Sequence, residues 1–129
     1  MIKRFFEWIL VKNQLDDKAI SAPYVNEGDV WWSSIGENVG FEINGKSKLF
    51  TRPVVIVKKF TYGFYLVAPT TSQERKGTWY VNFPLSSLVK TVCLHQIRTI
   101  DYRRLFSKLG RLDEVDFREL KRSFLRLYQ

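Results

Sequence analysis

The chain has 129 residues and a formal net charge of +8, with 21 Lys and Arg against 13 Asp and Glu. That length suits a single domain, and 45% hydrophobic with 16% aromatic residues supplies the apolar surface for one core, which excludes a disordered chain. The basic excess suits a polyanionic partner, with a merely basic solvated surface as the equal alternative; the lone Cys93 excludes an internal disulfide, the lone His95 argues against a metal centre, and no apolar run approaches the ~20 residues that span a bilayer.

At the start, Ile2, Phe5, Phe6, Ile9 and Leu10 recur at helical spacing and predict an amphipathic helix packed on the domain's own core, with an interface as the alternative use. Glu7 and Lys12 interrupt the apolar patch and no small-residue cleavage site follows, so a signal peptide is not expected and the chain reads as cytoplasmic. Residues 1–26 form this helical extension and its linker, which Ser21-Ala22-Pro23 begins; residues 27–129 form the main domain.

From Glu27 the pattern changes to short β-prone runs. Gly28 to Ser33 predicts a strand, followed by a long loop from Ile35 to Thr51 that holds Gly36, Gly40 and Gly45. Arg52 to Lys59 is a second strand whose continuous apolar centre implies burial on both faces. Tyr62-Gly63 turns the chain into Phe64 to Ala68, with Pro69 closing that strand. Trp79 to Phe83 and Leu88 to Leu94 are two more strands, preceded by a polar loop, Ser72 to Gly77. After Thr99-Ile100-Asp101 a turn and short helix carry Arg103, Arg104 and Lys108 until Gly110 breaks it. A last helix starts at an Asp113 N-cap, with Phe117, Leu120, Phe124 and Leu127 at helical spacing. Several short, closely spaced strands with a terminal helix give a mainly β, α+β class: a small barrel with the C-terminal helix packed on it and an additional N-terminal helix.

Four stretches carry a resemblance. Glu27-Gly28-Asp29-Val30-Trp31-Trp32, Arg52-Pro53-Val54-Val55-Ile56, Val67-Ala68-Pro69-Thr70-Thr71-Ser72 and Gln96-Ile97-Arg98-Thr99-Ile100-Asp101, in this order, resemble the motifs of the MazF/PemK toxin family, with Gly110-Arg111-Leu112 fitting as well. The resemblance spans Glu27 to Tyr128. It implies an SH3-like barrel that dimerises, a cofactor-free endoribonuclease of a type II toxin–antitoxin system cutting single-stranded RNA, and a cognate antitoxin whose acidic tail occupies the RNA groove. Carried over residue by residue, it implies that Arg52 acts on the scissile phosphate, that Thr71 is the hydroxyl beside it, and that Glu42 is the acidic residue of the first loop. Some members place an Arg and an acidic residue just before the position of Gln96; this chain has Cys93 and His95 there.

The chemistry of the residues stands beside that resemblance. Metal-independent RNA cleavage needs a base for the 2′-OH, an acid for the leaving 5′-oxygen and positive charge for the phosphorane, and a planar guanidinium answers the last need. Arg52 is the candidate, the alternative being a surface arginine at a strand edge. Thr71 either donates to the phosphate or caps the turn after Pro69. His95 titrates near neutrality and either replaces the family's carboxylate in proton transfer or is buried structure. For binding, Lys46, Lys48, Arg75 and Lys76 supply charge from loops, together with Lys58 and Lys59; Ser72 is a further phosphate or sugar contact; and Phe41, Phe50 and Trp79 are aromatic stackers, Phe41 and Phe50 foremost because of their loop positions. Gln96 and Arg98 orient the site or touch RNA, or Arg98 pairs with Asp101. Two rival readings are a non-catalytic binding module on the same barrel, like the related gyrase poisons, and an assembly protein that docks through its first helix.

Overall fold

The computed structural model describes residues 3–129. Helix α1 (Phe5–Asp16) leads to strands β1 (Asp29–Ser34), β2 (Thr51–Thr61), β3 (Phe64–Thr71), β4 (Tyr80–Asn82), β5 (Thr91–Cys93), β6 (Arg98–Asp101) and β7 (Leu105–Arg111), and helix α2 (Glu114–Arg126) ends the fold. The strands form one antiparallel sheet in the order β4-β5-β3-β2-β1-β7. β3 is shared on its second edge: Phe64 to Val67 pair with β6, and Thr70 and Thr71 pair with β5. Among the described residues no ladder joins β4 to β7, so the sheet stays open there.

β2 organises the interior. Val54 and Ile56 enter one core with Trp31, Ile35, Tyr65, Val67 and Ile100, while Val55 and Val57 enter another with Val30, Ala68, Val92 and Leu120. Alternate residues point to opposite faces, so the unbroken apolar run serves both, as expected, with each buried side chain contributing about 1.5–3 kcal/mol. The β2–β3 hairpin forms at Tyr62-Gly63, where Gly63 has φ +100° and an added Cβ would lie 2.9 Å from the Tyr102 ring. The second core is closed by α2, which buries Leu120 and packs Phe117, Phe124 and Leu127 against it. The Asp113 carboxylate caps α2 as expected, accepting from Asp116 N–H at 2.8 Å.

Four expectations are corrected. β3 continues through Pro69 to Thr71; Pro69 lies between the stretches paired with β6 and β5, where its missing N–H removes no ladder bond to either. The short helix expected after Asp101 is a single 3₁₀ turn, Tyr102–Arg104, and Lys108 and Gly110 lie on β7. That strand is tied to β1 by Asp29, a buried carboxylate 3.0 Å from Arg111 Nη1 and 3.4 Å from Lys108 Nζ. The third correction concerns Lys58 and Lys59, which sit toward the far end of β2, on the order of 20 Å along the strand from Arg52.

The fourth correction concerns α1. The expected apolar face packs the wrong way round: Phe5, Phe6, Ile9 and Leu10 are exposed, Phe6 at 89%, whereas Trp8 and Leu15 are buried with Val11 partly so; Ile2 lies outside the described residues. The helix is apolar on most sides, so the docking site chooses the face. Gly36 leaves a bare backbone on which the Trp8 indole lies, and a Cβ there would come within 2.5 Å of the ring. Phe50, with φ +54°, closes the other side at 5.5 Å between ring centroids.

Candidate active site

Strand pairing brings the first two candidates together. The β2–β3 ladder ends with Val54 paired to Pro69, and beyond it Arg52 of β2 and Thr71 of β3 line the same cleft, with Arg52 Nη1 donating to Thr70 O. Thr71 is in turn paired with Thr91 on β5, so the sheet end carries Arg52, Thr71 and the β5 terminus side by side. The chain after β5 makes a 3₁₀ turn, Leu94–Gln96, that places His95 on the same rim.

These residues line one cleft of about 530 Å³ with Phe41, Lys46, Arg75, Trp79 and Gln96. The Arg52 guanidinium is oriented by backbone: Nε donates to Asn44 O at 2.8 Å and Nη1 to Thr70 O at 3.2 Å. Among the described residues no carboxylate pairs with it, so its charge is available to an anion, and a guanidinium keeps donors beyond the two in use. Burial draws the Arg52 pKa below its ordinary value, opposed by the nearby Cys93. The group remains a cation at neutral pH.

His95 is exposed and wedged between rings, 5.5 Å from Trp79 and 5.2 Å from Tyr80, the latter edge-on. Partial burial lowers its pKa, because desolvation disfavours the imidazolium. At neutral pH the ring is therefore neutral and able to accept a proton. Cys93 is buried against the cleft, and burial pushes its thiol pKa up while Arg52 and Arg75 pull the other way. A protonated thiol forms part of the wall and is no nucleophile.

The remaining candidates divide by position. Gln96 clasps the β1–β2 loop, its Oε1 accepting from Ile43 N–H at 3.0 Å and its Nε2 donating to Phe41 O at 2.9 Å. Arg98 and Glu42 occupy an adjoining recess of about 440 Å³ that shares His95 and Gln96 with the main cleft. Arg98 Nη1 donates to Ile35 O at 3.2 Å, and Glu42 is the acidic group in its field, not Asp101, which binds Arg103 at 2.8 Å. Ser72 lies in a second adjoining recess of about 250 Å³, which shares Lys46 and Arg52 and has an apolar lining from Trp32, Pro53 and Leu88. Each of these two recesses borders the main cleft through the residues it shares with it. Lys48 and Lys76 are exposed but line none of them.

Phe50 is corrected outright: it is 1% exposed, beneath Trp8 and with the Arg4 guanidinium 4.2 Å above its ring, so no base can stack on it. Phe41 and Trp79 are the exposed aromatics of the cleft. Sequence reading missed Tyr80, Gln73 and Ile43 as lining residues; Tyr80 alternates out of a short strand, a weak signal by itself. Among the described residues no group of three or more His, Cys, Asp or Glu is placed to hold a metal, and no helix is long and apolar enough to cross a membrane.

The model of one protein family, described as PemK-like, MazF-like toxin of type II toxin–antitoxin system, matches residues 26–128. Among solved structures, the chain is similar to a MazF from Deinococcus radiodurans, at 21% identity and TM-score 0.67 over 82% of this chain and 98% of that one. It is also similar to an endoribonuclease from a mycobacterial species, at 16% identity and TM-score 0.60 over 86% and 95%, and to a mycobacterial endoribonuclease in complex with its cognate antitoxin, at 15% identity and TM-score 0.60 over 81% and 95%. At these identities the likenesses establish a shared fold. No curated protein matches the chain. Helix α1 lies outside the residues the family model matches.

Proposed function

We propose that this chain, which belongs to the PemK-like, MazF-like toxins of type II toxin–antitoxin systems, is a metal-independent, sequence-selective endoribonuclease that cuts single-stranded RNA in the cytoplasm. The observation that carries the reading is the Arg52 guanidinium, held by two backbone carbonyls and paired with no carboxylate among the described residues, in one cleft with Thr71 and His95.

The groove suits a single strand. Lys46, Arg52 and Arg75 neutralise phosphates, and Phe41 and Trp79 offer faces for unpaired bases. With the scissile phosphate on Arg52, the neutral His95 imidazole takes the proton of the adjacent 2′-OH. The 2′-oxygen then bonds to phosphorus, Arg52 and the Thr71 hydroxyl donate to the non-bridging oxygens as charge gathers, and the bond from phosphorus to the 5′-oxygen breaks, the departing oxygen taking a proton from solvent water while the His95 imidazolium returns its own proton to solvent. The products are a 2′,3′-cyclic phosphate and a 5′-hydroxyl. His95 supplies the proton transfer that other members assign to a carboxylate.

The working form is a homodimer, and a cognate antitoxin with an acidic segment covers the same positive groove, since such a segment mimics the phosphate chain. The domain that carries these activities is residues 27–129. The test is end-mapping of a long unstructured RNA digested in EDTA by the wild-type chain and by Arg52→Ala. Discrete cuts with cyclic phosphate ends, lost in the variant, are expected. RNA binding without any cut would instead support a non-catalytic binding module on this barrel.

A further inference from the structure

The β1–β2 loop, residues 35–50, makes one wall of the cleft and also holds the catalytic guanidinium, through Asn44 O. Its two stems are drawn together by backbone bonds: Ile35 N–H and Gly36 N–H donate to Phe50 O at 2.9 and 3.3 Å, and Gly45 N–H donates to Gly36 O at 2.8 Å. Gly45 is pressed so close to Phe50 that a Cβ there would overlap its carbonyl. Any movement of Phe50 or Gly36 is therefore passed within one residue to Asn44.

Helix α1 grips these stems from outside. Trp8 packs on Gly36 and against Phe50. Arg4 N–H donates to the Glu37 carboxylate at 2.7 Å, and Arg4 Nη1 donates to Ser47 O at 3.0 Å. The far end of the helix is anchored to the 3₁₀ turn after β6, where Lys18 Nζ donates to Arg103 O at 2.9 Å and Arg103 Nη1 to Asp16 O at 3.1 Å. Arg104 completes the seat: it stacks on Trp8 at 5.6 Å and donates to Ser34 O at 3.2 Å, its pKa drawn down to about 10 by burial and by Arg98 nearby.

We propose that α1 is a strap that sets the geometry of the cleft, with Trp8 as a positioning residue acting on Arg52 through Gly36, Phe50, Gly45 and Asn44. The catalytic role given to Arg52 is the reading above, and the proposal rests on it for its kinetic consequence alone. Trp8 belongs to a small cluster with Leu15 and Phe50, separate from the two sheet cores, so loosening it leaves the sheet folded. A misplacement of about 1 Å in a group aimed at the transition state costs up to 10²-fold in rate.

The experiment uses the full chain and compares Trp8→Ala, Gly36→Ala, Trp8→Phe and Phe6→Ala. Gly36→Ala attacks the same seat from the other side, because its new Cβ cannot share space with the indole. Two readouts are taken: solvent exchange of the Arg52 Nε–H and Gly45 amide protons by NMR, and kcat and KM on a short single-stranded RNA. Trp8→Ala and Gly36→Ala are expected to speed both exchanges at least tenfold and to lower kcat by about ten- to a hundredfold with a smaller change in KM. Trp8→Phe restores most of both, and Phe6→Ala, on the exposed side of α1, changes neither. Wild-type exchange in folded Trp8→Ala and Gly36→Ala overturns the strap. A wild-type chain that cuts no RNA defeats the nuclease reading instead, while the exchange data still decide the role of α1.

Discussion

Replacing Arg52 by lysine keeps the positive charge and removes the fork, which makes it the sharpest probe of the cleft. In the folded protein Nε and Nη1 are engaged by Asn44 O and Thr70 O, so the side chain can be anchored and still present donors to a phosphate. An ammonium is a single centre on a flexible stem; if it bonds to one carbonyl it leaves the other unsatisfied and faces the phosphate with less. Each orphaned, part-buried carbonyl costs about 1 kcal/mol, so Arg52→Lys should lose about 1–2 kcal/mol of stability in urea unfolding. The catalytic loss is larger. Removing a preorganised donor from a developing oxyanion costs about 2.7–4 kcal/mol, or roughly 10²–10³ in kcat. The assay is turnover of a fluorogenic single-stranded RNA at saturating concentration, with KM expected to rise only modestly because Lys46 and Arg75 remain. Should Arg52→Lys keep a third or more of the wild-type kcat, the guanidinium does not act on the scissile phosphate.

The pH profile tests His95. A base must be neutral, and burial lowers this pKa from 6.5, so kcat should fall only as pH drops through a value below 6.5. That acidic limb should vanish, with a lower plateau, in His95→Ala; an unchanged profile from pH 5 to 9 removes the residue from the reaction. The same shift makes the folded state bind its proton less readily than the unfolded one, so His95 contributes stability above its unfolded pKa that is lost as pH falls through the folded one, as unfolding in the wild type and His95→Ala should show. Phe41→Ala should raise KM by about tenfold, since stacking is worth about 1–3 kcal/mol per base, and leave thermal stability alone; Phe50→Ala, at a buried ring, should cost about 3–5 kcal/mol in unfolding. A Phe50→Ala chain of wild-type stability contradicts its burial under Trp8. Asp29→Asn should cost about 2 kcal/mol of stability, by uncoupling Arg111 and Lys108 from β1, with kcat unchanged because Asp29 is on the order of 13 Å along β1 from Ser33, the partner of Arg52. A fall in its kcat without loss of stability contradicts that assignment.

Much of this protein could be read from neighbouring residues alone. The unbroken apolar run of β2, the hairpin at Tyr62-Gly63 and the Asp113 cap of α2 each depend on contacts within a few residues, and each is present in the fold. Arg52, Thr71 and His95 were also legible as candidates, because their side chains bring chemistry that few other positions in this chain offer. Their convergence was a matter of strand pairing: Arg52 and Thr71 line one cleft because β2 and β3 run side by side as far as Val54 and Pro69.

What local pattern could not reach was decided by partners distant in sequence. β7, with Phe106, Ser107 and Lys108 all exposed, alternates too weakly to announce a strand, and it becomes one by pairing with β1 about eighty residues earlier. Phe50 looked like an exposed loop aromatic until a tryptophan forty-two positions before it covered its ring. Helix α1 is the plainest case: its sequence determines that a helix forms, since apolar and helix-forming residues dominate it. Which side is buried depends on Gly36, a residue with no side chain, whose bare backbone accepts an indole that any Cβ would displace.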